Sequence, residues 1–133
     1  MSNVFYLSIG RRKSGIARTR VVASGNGKII INNKTVDEYF GGLERLKKIA
    51  LKPLGVWGEG AKSYDFFVNV NGGGISGQAG AISHSLARTI LELNETSKAV
   101  LKKEGLLTRD SRMVERKKPG RPKARKRFQF SKR

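Results

Sequence analysis

The sequence predicts an α+β fold, in which a small sheet packs against helices, followed by a long extended basic tail. Three observations support this prediction. Short β-type segments occupy the N-terminal part of the chain, helical periodicity dominates the part that follows, and the last 25 residues hold few apolar side chains. We therefore divide the chain into a globular domain, residues 1–108, and a tail, residues 109–133. A length of 133 residues suits one such domain.

Alternating apolar residues predict the strands. In the second strand, Ala17 and Val21 share one face with Thr19, whereas Arg18 and Arg20 lie on the other. Two arginines on one face indicate that this face is not buried against the core. The predicted strands are Val4–Leu7, Ile16–Ala23, Lys28–Asn32 and Phe66–Asn71.

The turn between the second and third strands has a hairpin signature. Residues 24–27 read Ser-Gly-Asn-Gly, and the dipeptide Asn26-Gly27 favours the positive φ angles of a type I′ turn. The sequence therefore predicts that these two strands pair as a hairpin.

Capping residues delimit the predicted helices. Thr35 with Glu38 three residues later forms a capping-box pattern, Pro53 predicts the end of a helix, and Gly105 predicts a C-cap. The predicted helices are a short one ending at Phe40, then 43–51, 78–94 and 97–104, the third with an apolar stripe of Ile82, Leu86, Ile90 and Leu93.

The charge is the strongest indication of a partner. Twenty-eight Lys and Arg against ten Asp and Glu give a net charge of +18, which a polyanion would compensate. Residues 109–133 hold twelve basic and two acidic side chains, a net of +10. The tail cannot bury enough apolar surface to offset the entropy of ordering, and Pro119–Pro122 breaks any helix there. We interpret it as an arm that orders on its partner.

The composition also excludes several classes of protein. The absence of cysteine excludes a disulfide-stapled scaffold and a thiolate zinc site, and a single histidine excludes a His-rich metal site. No apolar run approaches the roughly 18 residues of a membrane helix, and the N-terminus does not have the pattern of a signal peptide. We predict a cytoplasmic protein with no cofactor, no metal and no membrane or small-molecule partner. His84 has no evident catalytic partner, so no catalytic residue and no enzymatic activity are predicted.

Two glycine-containing motifs are candidate phosphate sites. The segment Gly72–Gly77 satisfies G-x-G-x-x-G between a strand and a helix, but no ribose-binding acid and no Walker lysine follow. It is compatible with a nucleotide cofactor, with a nucleic-acid phosphate at a helix N-terminus, or with a tight structural turn. The segment Gly10–Gly15 is a basic loop that Arg18 and Arg20 continue, and we interpret it as a phosphate-binding surface.

Two phenylalanines lie within the tail. Phe128 and Phe130 alternate with basic residues, a pattern suited to stacking on unpaired RNA bases. The same side chains would equally serve to anchor the tail on the protein surface, and the sequence does not separate the two interpretations.

In their order and spacing, these motifs resemble the bacterial-type small-subunit ribosomal protein S-nine family along nearly the whole chain. The residues that carry the resemblance are Gly10–Ser14 with Ala17-Arg18, Gly25–Lys28 with Ile31-Asn32, Val70–Gly74, Gly77–Ile82 with His84, Gly105–Asp110, Glu115–Lys118, Lys123–Arg125 and Gln129–Arg133. Ser83 and Ser85 depart from it, because the family has Arg and Gly beside the histidine. The serine at 83 removes one expected phosphate contact.

The resemblance implies a small mixed sheet with a left-handed βαβ crossover, and a structural role in the small ribosomal subunit. It implies neighbouring head proteins and 16S-type rRNA in the head as partners. It also implies that the tail reaches the anticodon stem-loop of the peptidyl-site tRNA, with Ser131, Lys132 and Arg133 as the tRNA-binding residues. The expected rRNA-binding residues are Arg11, Arg12, Lys13, Arg18, Arg20, Gly73, Gly74, Gln78, His84, Arg109, Arg112, Arg116, Lys117, Lys118, Arg121, Lys123, Arg125, Lys126, Arg127, Phe128 and Phe130.

Two other functions fit part of the sequence. A nucleotide-binding enzyme would use the glycine-rich turn, but it would lack the Walker lysine, metal carboxylates and ribose-binding acid. A DNA-compacting protein would explain the charge but not the folded body with its two distinct basic surfaces.

Overall fold

A computed structural model describes residues 5–23, 25–109, 112 and 115–127. The strands form one mixed five-stranded sheet in the order β1-β2-β5-β3-β4. The strands are β1 Phe5–Arg12, β2 Gly15–Ala23, β3 Ile29–Ile31, β4 Lys34–Thr35 and β5 Tyr64–Asn71. The helices are α1 Val36–Phe40, α2 Glu44–Trp57, α3 Ile75–Leu93 and α4 Lys98–Lys103, with 3₁₀ turns at Gly58–Ser63 and Glu95–Ser97. The predicted α+β class is confirmed.

The core lies between one face of the sheet and helices α2 and α3. Alternate residues of β2 and β5 point into it, among them Ala17, Val21, Phe66 and Val68, all at most 1% exposed. From α3, Ile82 and Leu86 of the predicted apolar stripe pack in the same cluster, and Ile90, also fully buried, packs with Ala87 and Leu101 in a second cluster. The predicted faces of β2 and of the long helix are therefore correct.

The predicted hairpin at residues 24–27 is wrong. β2 pairs antiparallel with β1 and with β5, whereas β3 pairs in parallel with β5. The segment after β2 instead binds the start of β5, since the Asp65 carboxylate accepts hydrogen bonds from the backbone N–H groups of Asn26 (2.9 Å) and Lys28 (3.0 Å). A local turn signal was overridden by this long-range pairing.

The turn with two positive φ angles lies six residues later. Asn32 (φ 49°) and Asn33 (φ 66°) connect β3 to β4, where Ile31 pairs with Lys34. Positive φ at both central residues is the type I′ pattern, which asparagine tolerates better than most residues. The chain then passes through α1 and α2 before returning in parallel as β5; the left hand of this crossover stays a prediction.

Two predicted element ends are also wrong. β1 runs past Leu7 to Arg12, through Gly10, because a Cβ-free residue fits where the strand abuts α3: an added Cβ would lie 2.2 Å from the Ser85 backbone nitrogen. Helix α2 continues through Pro53 to Trp57. Pro53 is buried, and the packing of Leu54 and Trp57 on the core offsets the hydrogen bond that a proline cannot donate.

The helix ends predicted from capping residues are correct to within a residue. The Glu38 backbone N–H donates to the Thr35 hydroxyl (3.2 Å) at the start of α1. After α4, Gly105 has φ +73° and the Leu106 N–H donates to the Leu101 carbonyl (3.1 Å), a Schellman ending. Among the described residues, no helix combines the length and apolar character that a membrane span requires.

Candidate nucleic-acid interface

The basic loop and the glycine-rich turn, two separate motifs in the sequence, form a single surface. β1 and β2 are joined by a two-residue turn, Lys13-Ser14, whose first residue has φ 53°. This turn packs on Gly72 and Gly73, both at positive φ: an added Cβ would lie 2.5 Å from the Ser14 carbonyl oxygen at Gly72 and 3.0 Å from the Gly15 nitrogen at Gly73. We call residues 10–15 together with 72–78 the hairpin surface.

Glycines of α3 bring the two parts of the hairpin surface into contact. The helix begins at Ile75 rather than at residue 78, with Gly74 as N-cap, so Gly77 and Gly80 lie inside it. A Cβ at Gly77 would lie 3.3 Å from the Arg12 carbonyl oxygen, and one at Gly80 would lie 2.7 Å from the Arg12 side chain. These glycines allow close packing of strand on helix, which the sequence interpretation as a turn did not anticipate.

The hairpin surface is electropositive. Lys13 is exposed beside the first turn of α3, where a Cβ at Gly77 would lie 3.6 Å from its side chain, and Arg11 is exposed on β1 nearby. This first turn contains no acidic residue and has no side-chain cap at Gly74. The N-terminus of a helix carries partial positive charge on its free N–H groups. Basic side chains and helix dipole therefore act in the same direction, and both favour an anion.

Gln78, an expected RNA contact, is engaged within the protein. Its side-chain Nε2 donates to the Gly72 carbonyl (3.2 Å), and its Oε1 accepts a hydrogen bond from the Tyr39 hydroxyl. These bonds give Gln78 a structural role in holding the glycine-rich turn against α1.

Arg18 and Arg20 lie on a different surface, the outer face of the sheet. Both are exposed on β2, as the sequence predicts. The Arg20 guanidinium carbon lies 5.6 Å from the centroid of the Phe67 ring on β5, a cation–π distance. Phe67 was not among the expected site residues, because only the strand order places it beside Arg20.

His84 lies where the chain leaves the globular part. Its Nε2 is 3.3 Å from the Leu107 carbonyl oxygen, which can only accept, so Nε2 carries the proton. Burial lowers the pKa of His84 below its usual value, and the charges of Arg88 and Arg109 act in the same direction. The imidazole is therefore neutral at pH 7, and it anchors the residue two positions before the predicted tail.

The described part of the tail, 115–127, contains neither helix nor strand. Pro119-Gly120 forms a turn with φ +81° at the glycine, and the Arg121 N–H donates to the Lys118 carbonyl (3.3 Å), the pattern of a type II turn. Glu115 pairs with Lys118 and, at 2.8 Å, with Arg125, and these hydrogen bonds lower the pKa of its carboxyl group. The basic side chains of this stretch that are exposed are Arg116, Lys117, Lys118, Lys123, Arg125, Lys126 and Arg127.

The expected site residues thus separate into four groups. Arg11, Arg12 and Lys13 lie at the hairpin surface with Gly73, Gly74 and Gln78. Arg18 and Arg20 lie on the outer sheet face, and the third group is His84, which lies near Arg109 and also lines one depression with Arg11 and Arg12 of the first group. The fourth group is the tail itself, of which Phe128, Phe130, Ser131, Lys132 and Arg133 lie outside the described residues.

Comparison with known proteins identifies the family. A model of the family described as "Ribosomal protein S9/S16" matches residues 10–133. The chain belongs to this family. It is 55% identical to the small ribosomal subunit protein uS9 of Anaeromyxobacter sp. (strain K) over 127 residues, which cover 96% of this chain and 95% of that protein. The corresponding protein of Borrelia duttonii is 57% identical over 96% of this chain and 91% of its own length, and that of Chlorobium phaeobacteroides is 54% identical over 95% of both.

Membership in the S9/S16 family confirms the resemblance drawn from the sequence motifs. It also confirms that the protein is a structural, non-enzymatic component of the small ribosomal subunit, and with it the expected location in the cytoplasm. The β1–β2 turn lies against the Cβ side of Gly72 and Gly73, so these glycines allow close packing within the protein.

Proposed function

We propose that this protein binds 16S-type rRNA in the head of the small subunit through the hairpin surface and the tail. We further propose that the tip of the tail contacts the anticodon stem-loop of the peptidyl-site tRNA. The observation that carries the first part is the packing of Arg12 and Lys13 against the acid-free first turns of α3, with Arg11 exposed on the same strand. Phosphate contacts of this kind position a protein on RNA without reading its sequence.

The rRNA contact is tested by salt dependence. Each phosphate that a basic side chain neutralises contributes about −0.7 to −0.9 to the slope of log K against log salt. We expect Lys13→Gln to weaken binding to a transcript of the head domain and to make this slope shallower by about that amount. Lys102→Gln on α4 removes the same charge from another exposed position and serves as the matched control. Equal effects of both substitutions would show that only net charge matters, and would overturn the hairpin surface as a site.

The tRNA contact is tested in reconstituted subunits. We expect a chain lacking residues 131–133 to assemble normally and to bind peptidyl-site tRNA about tenfold more weakly, the effect of removing one charge-assisted hydrogen bond of about 1.5 kcal/mol. The full-length double substitution Lys132→Gln with Arg133→Gln separates loss of charge from loss of length. Blocked assembly with unchanged tRNA affinity would contradict the role of the tip.

A further inference from the structure

The outer face of the sheet is a formed surface without a protein layer over it. Helices α2 and α3 pack on the inner face, and no described element packs on the outer one. Leu7 on this face is 64% exposed. The solvent face of an antiparallel sheet is ordinarily polar, so a face that carries both an exposed leucine on β1 and the half-buried Phe67 ring on β5 is suited to a partner.

The strand register fixes which residues meet on this face. Leu7 lies opposite Arg20, Arg20 lies opposite Phe67, and Phe67 pairs with Ile30. In the neighbouring row, Arg18 lies opposite Asn69. The residues surround a depression of about 510 Å³ that is lined by Leu7, Arg18, Arg20, Ile30, Asn33, Phe67, Val68 and Asn69.

The chemistry of the depression favours an unpaired nucleotide. The Arg20 guanidinium lies over the half-buried Phe67 ring, with its carbon 5.6 Å from the ring centroid. Aromatic rings and guanidinium planes are the groups on which RNA bases stack. Arg18 supplies an exposed positive charge one row away, and Asn69 and Asn33 supply exposed amides that suit base edges.

Charge argues against an acidic protein segment as the better fit. The carboxylate of Asp65, near the start of β5, already accepts hydrogen bonds from two backbone N–H groups and does not neutralise the arginines. Within the described residues, neither Arg18 nor Arg20 forms an ion pair. An acidic peptide would satisfy the two charges but would leave the aromatic ring and the amides without a matching group, whereas a nucleotide matches all three.

We propose that the outer face of the sheet binds an unpaired RNA nucleotide, whose base stacks on the pair formed by Phe67 and Arg20 while Arg18 contacts an adjacent phosphate. The proposal rests on the proposed function and adds to it a stacking site separate from the hairpin surface. The two surfaces would recognise different parts of the RNA. The outer face would require an unpaired base on which to stack, whereas the hairpin surface would require only phosphates.

A tryptophan reporter tests this site directly in the full-length chain. Phe67→Trp in a Trp57→Phe background places the only tryptophan on the outer face. We expect its fluorescence to be quenched on addition of a ten-nucleotide oligoadenylate and to change little with a 20-base-pair RNA duplex, whose bases are already stacked. Each RNA also carries a dye at one end. The anisotropy of this dye reports binding of the RNA anywhere on the protein, including the tail.

Further substitutions separate stacking from charge. Phe67→Leu should reduce the affinity of the outer face for oligoadenylate about tenfold, measured by competition against the reporter chain, while Phe67→Tyr should retain it. In the reporter background, Arg18→Gln should make the salt slope of quenching shallower by about 0.7, and Lys102→Gln should not. Urea unfolding of each variant verifies that the sheet is intact.

Three results would overturn the proposal. One is anisotropy that reports bound oligoadenylate without quenching, and another is equal quenching by the duplex, which would indicate backbone contacts alone. The third is quenching by purified small-subunit head proteins but not by RNA, which would make the face a protein interface. None of these would affect the hairpin surface, whereas failure of the Lys13→Gln test would leave the quenching result unchanged.

Discussion

At the scale of single residues, the glycines of this chain differ in what they do. Gly10 lies in β1 against α3, and a Cβ there would lie 2.3 Å from the Ala81 carbonyl oxygen and 2.2 Å from the Ser85 nitrogen. Both are backbone atoms that cannot move independently. Gly55, by contrast, lies exposed in the last turn of α2 with nothing within 4 Å of an added Cβ.

We therefore predict opposite effects of the same substitution at these two positions. Gly10→Ala should lower the free energy of unfolding by about 3 kcal/mol because it overpacks the strand against the helix. Gly55→Ala should raise it by about 0.5–1 kcal/mol, since alanine restricts the unfolded chain and favours the helix. Urea unfolding measures both. A destabilised Gly55→Ala variant would contradict the open surroundings of that position.

The single histidine predicts a pH dependence. Because the folded-state pKa of His84 is lowered by burial, the folded protein binds fewer protons than the unfolded chain near pH 6.5. Stability should therefore be fully present above the unfolded pKa and decrease as the pH falls through about 6.5 towards the folded pKa. Urea unfolding between pH 7.5 and 5.5 measures this decrease. A His84→Gln variant should lose it, and an unchanged pH profile in that variant would assign the effect to other groups.

At the scale of elements, a side chain continues the pairing of β3 with β5. The Asn32 amide donates to the Val70 carbonyl (2.8 Å), and its oxygen accepts from the Val70 N–H (2.9 Å). At Asn32, φ is 49° and the backbone turns away from β5. The Asn32 side chain therefore makes the two hydrogen bonds to Val70 that the backbone of a further strand residue would otherwise make.

Replacing this amide should weaken the sheet. Asn32→Gly keeps the positive φ but removes two part-buried hydrogen bonds, so we expect a loss of about 2 kcal/mol in the free energy of unfolding. Asn33→Gly is the matched control, since Asn33 is exposed at φ 66° and glycine adopts that angle readily. Equal losses for both variants would show that turn conformation, not the Asn32 amide, sets the stability of this edge.

The elements also show what the sequence could predict. The alternation of Ala17, Arg18, Thr19 and Arg20 correctly predicted which face of β2 is buried, because burial has the same period as the side chains. Strand order was beyond reach, because the insertion of β5 between β2 and β3 depends on pairings between residues far apart in the chain. For the same reason, the two glycine-containing motifs could be proposed as separate phosphate sites, but neither their convergence nor the Arg20–Phe67 pair could be foreseen.

At the scale of the whole molecule, the globular part and the tail differ in what holds them. Both hydrophobic clusters are built from residues up to Leu107. Between residues 115 and 127, the described ion pairs of Glu115 are made with Lys118 and Arg125 of the same stretch. The predicted boundary between residues 108 and 109 therefore also implies that the globular part is stable without the tail.

We predict that a chain truncated after Thr108 folds with a free energy of unfolding within about 1 kcal/mol of the full-length value, measured by urea unfolding. Its binding to the head-domain transcript should weaken and have a shallower salt slope, by about 0.7 to 0.9 for each phosphate that the tail would have neutralised. Substitution of Arg116, Lys117 and Lys118 by Gln in the full-length chain controls for charge loss without truncation. If the truncated chain were unfolded, residues after Thr108 would be needed for folding, and the domain boundary would lie within the predicted tail.

The position of β5 in the centre of the sheet has a consequence during synthesis. β5 is the strand that joins β2 to β3, and its partners in β2 lie between 41 and 55 residues earlier, from Ala23↔Tyr64 to Ile16↔Asn71. The first hairpin emerges from the translating ribosome long before the strand that completes its sheet, and α3, which covers it, follows later still. Until α3, which ends at Leu93, has emerged as well, the nascent chain would therefore expose apolar β1–β2 surface. A protein destined for the ribosome would thus leave part of its own core uncovered while it is being made.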